Sequence, residues 1–241
     1  MSGHSKWSTI KNKKAKTDSE RAKIFTKIGR EISVAVKMGG IDPATNKRLK
    51  DVILKAKINN VPNSNIERML KKAAGEGDKN NYYNITYEGY GPKGVAVLVE
   101  ALTDNKNRTA ANVRHYFDKF GGNLGASGCV SYLFSKKGVI YLEIDEKQEE
   151  ILMEKCLEME ALDFEHSEGI FKIVMESERF PIFVETFKEK GFKILSAAIE
   201  AVPSNYVEVE DEDVRKNLEK MVESFENDED IQEIFTNCKD F

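Results

Sequence analysis

The stretch DSERAKIFTKIGREISVAVKM, residues 18–38, has two faces that require two different partners. Wound at about 100° per residue, it places Phe25, Ile28, Ile32, Ala35 and Val36 on one side and Lys23, Lys27, Arg30 and Lys37 on the other. The apolar side needs a core. The charged side carries four cations with a single acid, Glu31, near its edge, so pairs four residues apart do not neutralise it. Such a helix repels its own charges unless something anionic lies across it.

Working outward toward the C-terminus, Gly39-Gly40 supplies a helix stop, and Asp42-Pro43 reads as a cap followed by a first helical position. A second helix is expected over 43–59, with Leu49, Val52, Ile53 and Ala56 inward and Lys47, Arg48, Lys50, Lys55 and Lys57 outward. After Val61-Pro62-Asn63, Ser64 with Glu67 three residues on spells a capping box. The helix it opens has Ile66, Met69, Leu70 and Ala73 as its stripe beside Arg68, Lys71 and Lys72. Three short helices with three apolar stripes predict a small bundle with a cationic outside.

On the other side, residues 1–17 contain Lys6, Lys11, Lys13, Lys14 and Lys16, one aromatic, Trp7, and no acid. The segment has too little apolar area to fold alone. Its lysines suit phosphate neutralisation, and Trp7 either stacks on a base or pins the arm to the helices.

The charge is strongly divided. Residues 1–75 carry a net +12 and the remainder −16, which the overall −4 conceals. Residues 75–81 are polar and glycine-containing and are expected to be a linker. Beyond them the pattern reads as strands at 82–87 and 94–102 joined by a reversal at 88–93, a helix over 104–120 and a strand over 129–134. Residues 138–202 then run strand, helix, strand, strand, helix, strand, the ferredoxin-like order. The tail offers a strand near 206–209, a helix over 211–225 and a strand around 231–235. The expectation is an α+β multidomain chain. A basic helical domain (1–77) precedes a discontinuous α/β domain (78–136 with 203–241), into which a ferredoxin-like domain (137–202) is inserted.

Convergent reactive groups are not evident. His4, His115 and His166 lack a neighbouring nucleophile pattern, and Cys129, Cys156 and Cys238 are far apart with no metal-ligand spacing. No catalytic residue, metal or cofactor is expected. The glycine-rich run 121–128 leads into a strand and lacks the Gly-Lys-Ser/Thr of a phosphate-binding loop, although Gly121, Gly122, Asn123 and Gly125 could grip a nucleic-acid backbone. At the start of the 104–120 helix, Asn105, Asn107 and Arg108 either donate to phosphates or simply cap the helix. No run reaches the ~20 apolar residues of a membrane span, so a cytoplasmic protein is expected.

Several blocks occur in one order: GHSKW (3–7), KIFTK (23–27), GGIDP (39–43), YEGYGPKG (87–94), DNKNRT (104–109), VRH (113–115), GGNLG (121–125) and YLFSKKG (132–138). On these the chain resembles the YebC/PmpR family, bacterial transcriptional regulators related to a mitochondrial translational activator of cytochrome oxidase. The resemblance implies three domains and non-enzymatic nucleic-acid binding, mainly DNA binding in transcriptional control. Some members are instead similar to ribosome-associated factors that relieve stalling, including at proline runs. With the +12 segment, the expected role is a DNA-binding regulator that uses the arm and helices. The alternatives are a translation factor on ribosomal RNA and an adaptor whose acidic domains bind basic proteins. Oligomeric state is not legible.

Overall fold

In the computed structural model, residues 18–75, 81–167 and 169–239 are described. The opening helix, α1 (Asp18–Gly39), buries Ile28, Ile32, Ala35 and Val36 against Leu49, Val52 and Ala56 of α2 (Lys47–Ile58) and Ile66 of α3 (Asn63–Ala74). Gly40 ends α1 in the left-handed region at φ 84°, its N–H bonded to the Val36 carbonyl. The next start is set differently from the Asp42-Pro43 expectation. Residues 42–45 form a turn on Asp42, and the cap is Asn46, almost fully buried. Its Oδ1 accepts from Leu49 N, while its Nδ2 donates to the carbonyls of Ala35 and Gly40. One side chain thus closes the end of α1 and the start of α2, an economy that favours Asn46 over the exposed Asp42. The expected capping box at Ser64 is also absent: α3 begins at Asn63 behind Pro62, whose carbonyl accepts from Asn65 and Ile66. Proline fixes the entry angle there, so Ser64 falls inside the helix.

The second unit is a four-stranded antiparallel sheet of order β3-β1-β2-β8, built from β1 (Tyr83–Tyr90), β2 (Ala96–Thr103), β3 (Asn123–Leu124) and β8 (Ile231–Thr236). Helices α4 (Lys106–Lys119) and α7 (Glu212–Asn227) cover one face and enclose Val97, Val99, Val113, Phe117, Leu218, Met221 and Phe225. The register Val97↔Thr236 shows how far apart in sequence the paired strands lie. Three details depart from expectation. Strand β1 continues to Tyr90, through the region read as a turn. Residues 129–133 are not a strand but approach a 3-10 turn at Ser131–Leu133, because Glu88 draws the Val130 and Ser131 N–H groups away from a ladder, and the strand begins only at Phe134. Near 206–209 only a bridge, Val207↔Cys238, forms.

Between these halves lies the inserted unit, β4 (Phe134–Glu143), α5 (Glu146–Glu158), β5 (Asp163–Ser167), β6 (Ile170–Glu176), α6 (Phe180–Glu189) and β7 (Lys193–Pro203). Its antiparallel order β5-β6-β4-β7 is that of a ferredoxin-like βαββαβ domain. The core is Ile140, Leu142, Leu152, Cys156, Phe171, Phe183 and Phe187, with Leu54 and Ile58 of α2 packed against it. The fold is therefore α+β: a three-helix domain resting on two α/β domains, one inserted in the other.

Candidate nucleic-acid interface

The cationic side of α1 does find an anionic partner, and the partner belongs to the same chain. It faces the end of α7 and the turn that follows it. Lys23 Nζ donates to Asn227 Oδ1 at 2.6 Å and Lys27 Nζ to the Glu226 carbonyl at 3.3 Å. These groups sit at the C-terminus of a helix, where the backbone dipole favours positive charge. Arg30 bridges Asp230 Oδ1 at 2.7 Å and Glu229 Oε2 at 3.1 Å, and also donates to the Glu229 carbonyl at 2.8 Å. Lys55 of α2 joins Glu31 and Glu233, each at 2.8 Å.

Asp230 is the centre of this junction. It is 3% exposed. Besides Arg30, its carboxylate receives Arg108 Nη2 at 2.7 Å, Thr109 Oγ1 at 2.8 Å and Thr103 Oγ1 at 3.0 Å. Burial alone would raise its pKa, but the hydrogen bonds from Arg108, Thr109, Arg30 and Thr103 together hold it below the usual carboxylate range. Burial likewise pulls Lys27 below the ordinary lysine value, only partly countered by Glu233 and Glu226. For Lys55 burial acts in the same direction, yet Glu233 and Glu31 override it and the ammonium is held more tightly than in water.

The first turn of α4 is accounted for by the same junction. Asn105 is the helix cap, its Oδ1 accepting from Arg108 N at 3.1 Å, and Arg108 is bound to Asp230 and Asp104. Asn107 is exposed beside them. In the glycine-rich loop, the N–H groups of Gly121, Gly122 and Gly125 donate to the carbonyls of Asp118, Phe117 and Glu88. The buried Glu88 carboxylate receives Gly128 N, Val130 N and Ser131 N at 2.7, 2.9 and 2.7 Å. Burial would raise its pKa; the backbone N–H donors reverse the sign and lower it. The loop is an anion cradle whose anion is the protein's own. Asn123 belongs to β3 and pairs with Tyr90.

Within the helical domain, most of the exposed cations without a carboxylate partner are on α2 and α3. Lys47, Arg68, Lys71 and Lys72 are exposed, as are Lys50 and Lys57. None of these six lies within ion-pair distance of a carboxylate among the described residues. Lys50 and Lys57 are seven residues apart and so share a face about 10 Å along the axis. Arg48 is half-buried against the Met38 sulfur, and Lys37 is exposed near the end of α1. Lys6, Trp7, Lys11, Lys13, Lys14 and Lys16 lie outside the described residues.

Two of the three thiols are held toward the protonated form. Burial pushes Cys156 up to about 12, and burial followed by Glu88 raises Cys129. His166 pairs with Glu149 at 2.8 Å, and no cluster of three metal-ligating side chains occurs among the described residues. No described helix is long and apolar enough to cross a membrane.

Comparison with known proteins agrees with this architecture. Residues 5–76 match the family model described as the TACO1/YebC protein N-terminal domain, and residues 82–238 match the TACO1/YebC second and third domain. A probable transcriptional regulatory protein of Finegoldia magna is 52% identical over 98% of both chains, and one of Acetivibrio thermocellus is 51% identical over 98% of both. The crystal structure of a conserved hypothetical protein from Aquifex aeolicus superposes with a TM-score of 0.86 at 44% identity, covering 98% of this chain and 97% of that one. With family models covering nearly its whole length and relatives at half identity from end to end, the chain belongs to the TACO1/YebC family.

Proposed function

We propose that this protein is a non-enzymatic nucleic-acid-binding regulator of gene expression that holds phosphates with its basic arm and the outer faces of α2 and α3. The observation that carries this reading is the residue of charge left after folding. Lys47, Lys50, Lys57, Arg68, Lys71 and Lys72 stay exposed without carboxylate partners on a chain whose other two-thirds is −16. Exposed like charges are retained against their own repulsion, and the acidic body orients the basic end toward a polyanion. The relatives named probable transcriptional regulatory proteins support DNA as the polymer. Phosphate is common to DNA and ribosomal RNA, so the same surface would serve a translation factor.

The test is binding of the full chain to duplex DNA and to structured RNA as a function of salt. If about six phosphates are contacted, affinity falls on the order of 10³-fold between 50 and 200 mM salt. Reversal of Arg68, Lys71 and Lys72 to Glu is expected to remove most of that slope. A shallow slope, or full binding by the reversed variant, overturns the proposal. Crosslinking and sequencing of the bound polymer in cells then separates promoter DNA from ribosomal RNA, and a nuclease-insensitive set of partners would favour the adaptor reading.

A further inference from the structure

At the end of the middle sheet remote from the helical domain, two tyrosines and a loop form a surface with a different chemistry. Tyr132 is 72% exposed, among the largest exposures of any apolar or aromatic side chain described. Its backbone, however, is held firmly. Ser131 N donates to Glu88 at 2.7 Å, Leu133 N to the Val130 carbonyl at 2.9 Å, and Ser204 N to the Leu133 carbonyl at 2.8 Å. Val130, Leu133 and Phe134 on either side pack into a core cluster with Ala96, Leu98 and Phe235. The neighbouring Tyr90 is partly exposed, and its hydroxyl donates to the Cys129 carbonyl at 2.9 Å. An aromatic ring is thus presented to solvent on a scaffold that needs no further ordering, the condition under which a binding contact is cheapest in entropy.

The charge around it is a second, separate observation. Two of the segments at this end, residues 89–99 and 120–137, contain no Asp or Glu and carry Lys93, Lys136 and Lys137, in a part of the chain whose net charge is −16. Lys137 is paired with Glu176, whereas Lys93 is exposed at the tip of the turn three residues beyond Tyr90. The nearest buried acid, Glu88, is enclosed by three N–H donors. Because those N–H groups are occupied, the loop has no backbone donors at Gly128, Val130 or Ser131 with which to cradle a phosphate. What it offers is an exposed π face.

We infer that Tyr132 is a stacking site for one unpaired base of a nucleic acid, with Lys93 on the turn after β1 as a phosphate contact for the same polymer. This rests on the nucleic-acid reading above and deepens it, since a ring of this kind takes a base that is splayed out and has nothing to offer a closed duplex. Phosphate contact on α2 and α3 would supply most of the affinity, and Tyr132 a preference for single-stranded or looped polymer.

The experiment compares the unaltered full chain with Tyr132→Ala, Tyr132→Phe and Lys93→Gln on a single-stranded oligonucleotide carrying 2-aminopurine and on a duplex of equal length. Tyr132→Ala is expected to weaken single-strand binding by about tenfold to a hundredfold with an unchanged salt slope, and to abolish the fluorescence quench of the stacked base. Tyr132→Phe keeps both, Lys93→Gln reduces the slope by roughly 0.7, and duplex affinity is unaffected by the Tyr132 changes. Unchanged single-strand affinity in Tyr132→Ala, or equal loss on both polymers, overturns the stacking site. If that happens while the Arg68/Lys71/Lys72 reversal still abolishes binding, the phosphate-binding surface stands alone. If the unaltered protein binds neither polymer, both readings fall. A Tyr132→Ala chain that keeps its nucleic acid but loses a protein partner reassigns the ring to a protein contact.

Discussion

Two buried carboxylates, Asp230 and Glu88, are each enclosed by several donors, and they organise the molecule on different scales. Glu88 is met by three neutral backbone N–H groups from one loop, so it fixes local geometry. Asp230 is met by two guanidiniums and two hydroxyls from α1, β2 and α4, so it fixes how the helical domain sits on the middle sheet. The difference lies in what is left behind when the acid is lost. Around Glu88 the orphans are neutral dipoles, those of Gly128 and Ser131 near the surface and that of Val130 buried. Around Asp230 they include Arg30, whose guanidinium is already largely withdrawn from water, beside a half-exposed Arg108, and a buried cation left unpaired is the more costly outcome.

That contrast can be tested directly. Asp230→Asn should be the most damaging change, lowering stability by about 3 kcal/mol, because the buried Arg30 keeps only the exposed Glu229 as counter-ion while the half-exposed Arg108 keeps Asp104; thermal unfolding should show it, with the helical domain becoming protease-sensitive. An equal effect from Glu88→Gln would erase the distinction. Glu88→Gln itself is expected to cost about 2–3 kcal/mol, since an amide offers one acceptor oxygen and turns its NH₂ against backbone donors; hydrogen exchange should accelerate at Gly128, Val130 and Ser131 while the helical domain stays protected.

Acid titration sharpens the comparison further. Both carboxylates have folded-state pKa values below their reference values of 4.5 for Glu88 and 3.8 for Asp230. Their stabilisation is therefore complete above those values and declines as pH falls through them toward the folded pKa. The melting temperature of the unaltered chain should drop below about pH 4.5, and in Glu88→Gln the drop should be shallower from a lower plateau. The smallest effect is expected at Lys27. Its pKa is lowered by burial, so its charged form is disfavoured in the folded state, and Lys27→Met should leave stability within about 1 kcal/mol or raise it slightly at neutral pH. A large loss there would mean that the single 3.3 Å bond to the Glu226 carbonyl matters more than the desolvation it accompanies.

The helices of the first domain were legible because each buries a stripe with a 3.6-residue period, and the βαββαβ unit because its six elements follow without interruption. Asn46 was harder to see. Its role depends on reaching back to the Ala35 and Gly40 carbonyls, a contact created by the corner between two helices. Glu88 was similarly hidden, since it falls in the segment read as a reversal, where a carboxylate reads as solvent-facing until a loop some 40 residues away folds over it. Lys50 and Lys57 were recognisable as outward-facing but were not separated from Lys55, which one turn of helix rotates into the junction with Glu31 and Glu233. Tyr132 carried a signal that went unused: an aromatic at the end of a stretch with no acid, inside an otherwise acidic half.

By itself the sequence determined that one-third of this chain is strongly basic, that α1 needs an anion along one side, and that apolar periodicity divides the rest into strands and helices. Those properties are local, set by spacing and composition. Only the tertiary structure decided which anion α1 receives. Asp228, Glu229, Asp230 and Glu233 lie about 200 residues from Arg30, and nothing in local pattern brings them together. The pairing of β2 with β8 does, carrying the end of α7 onto α1 and leaving the cations of α2 and α3 to face the solvent.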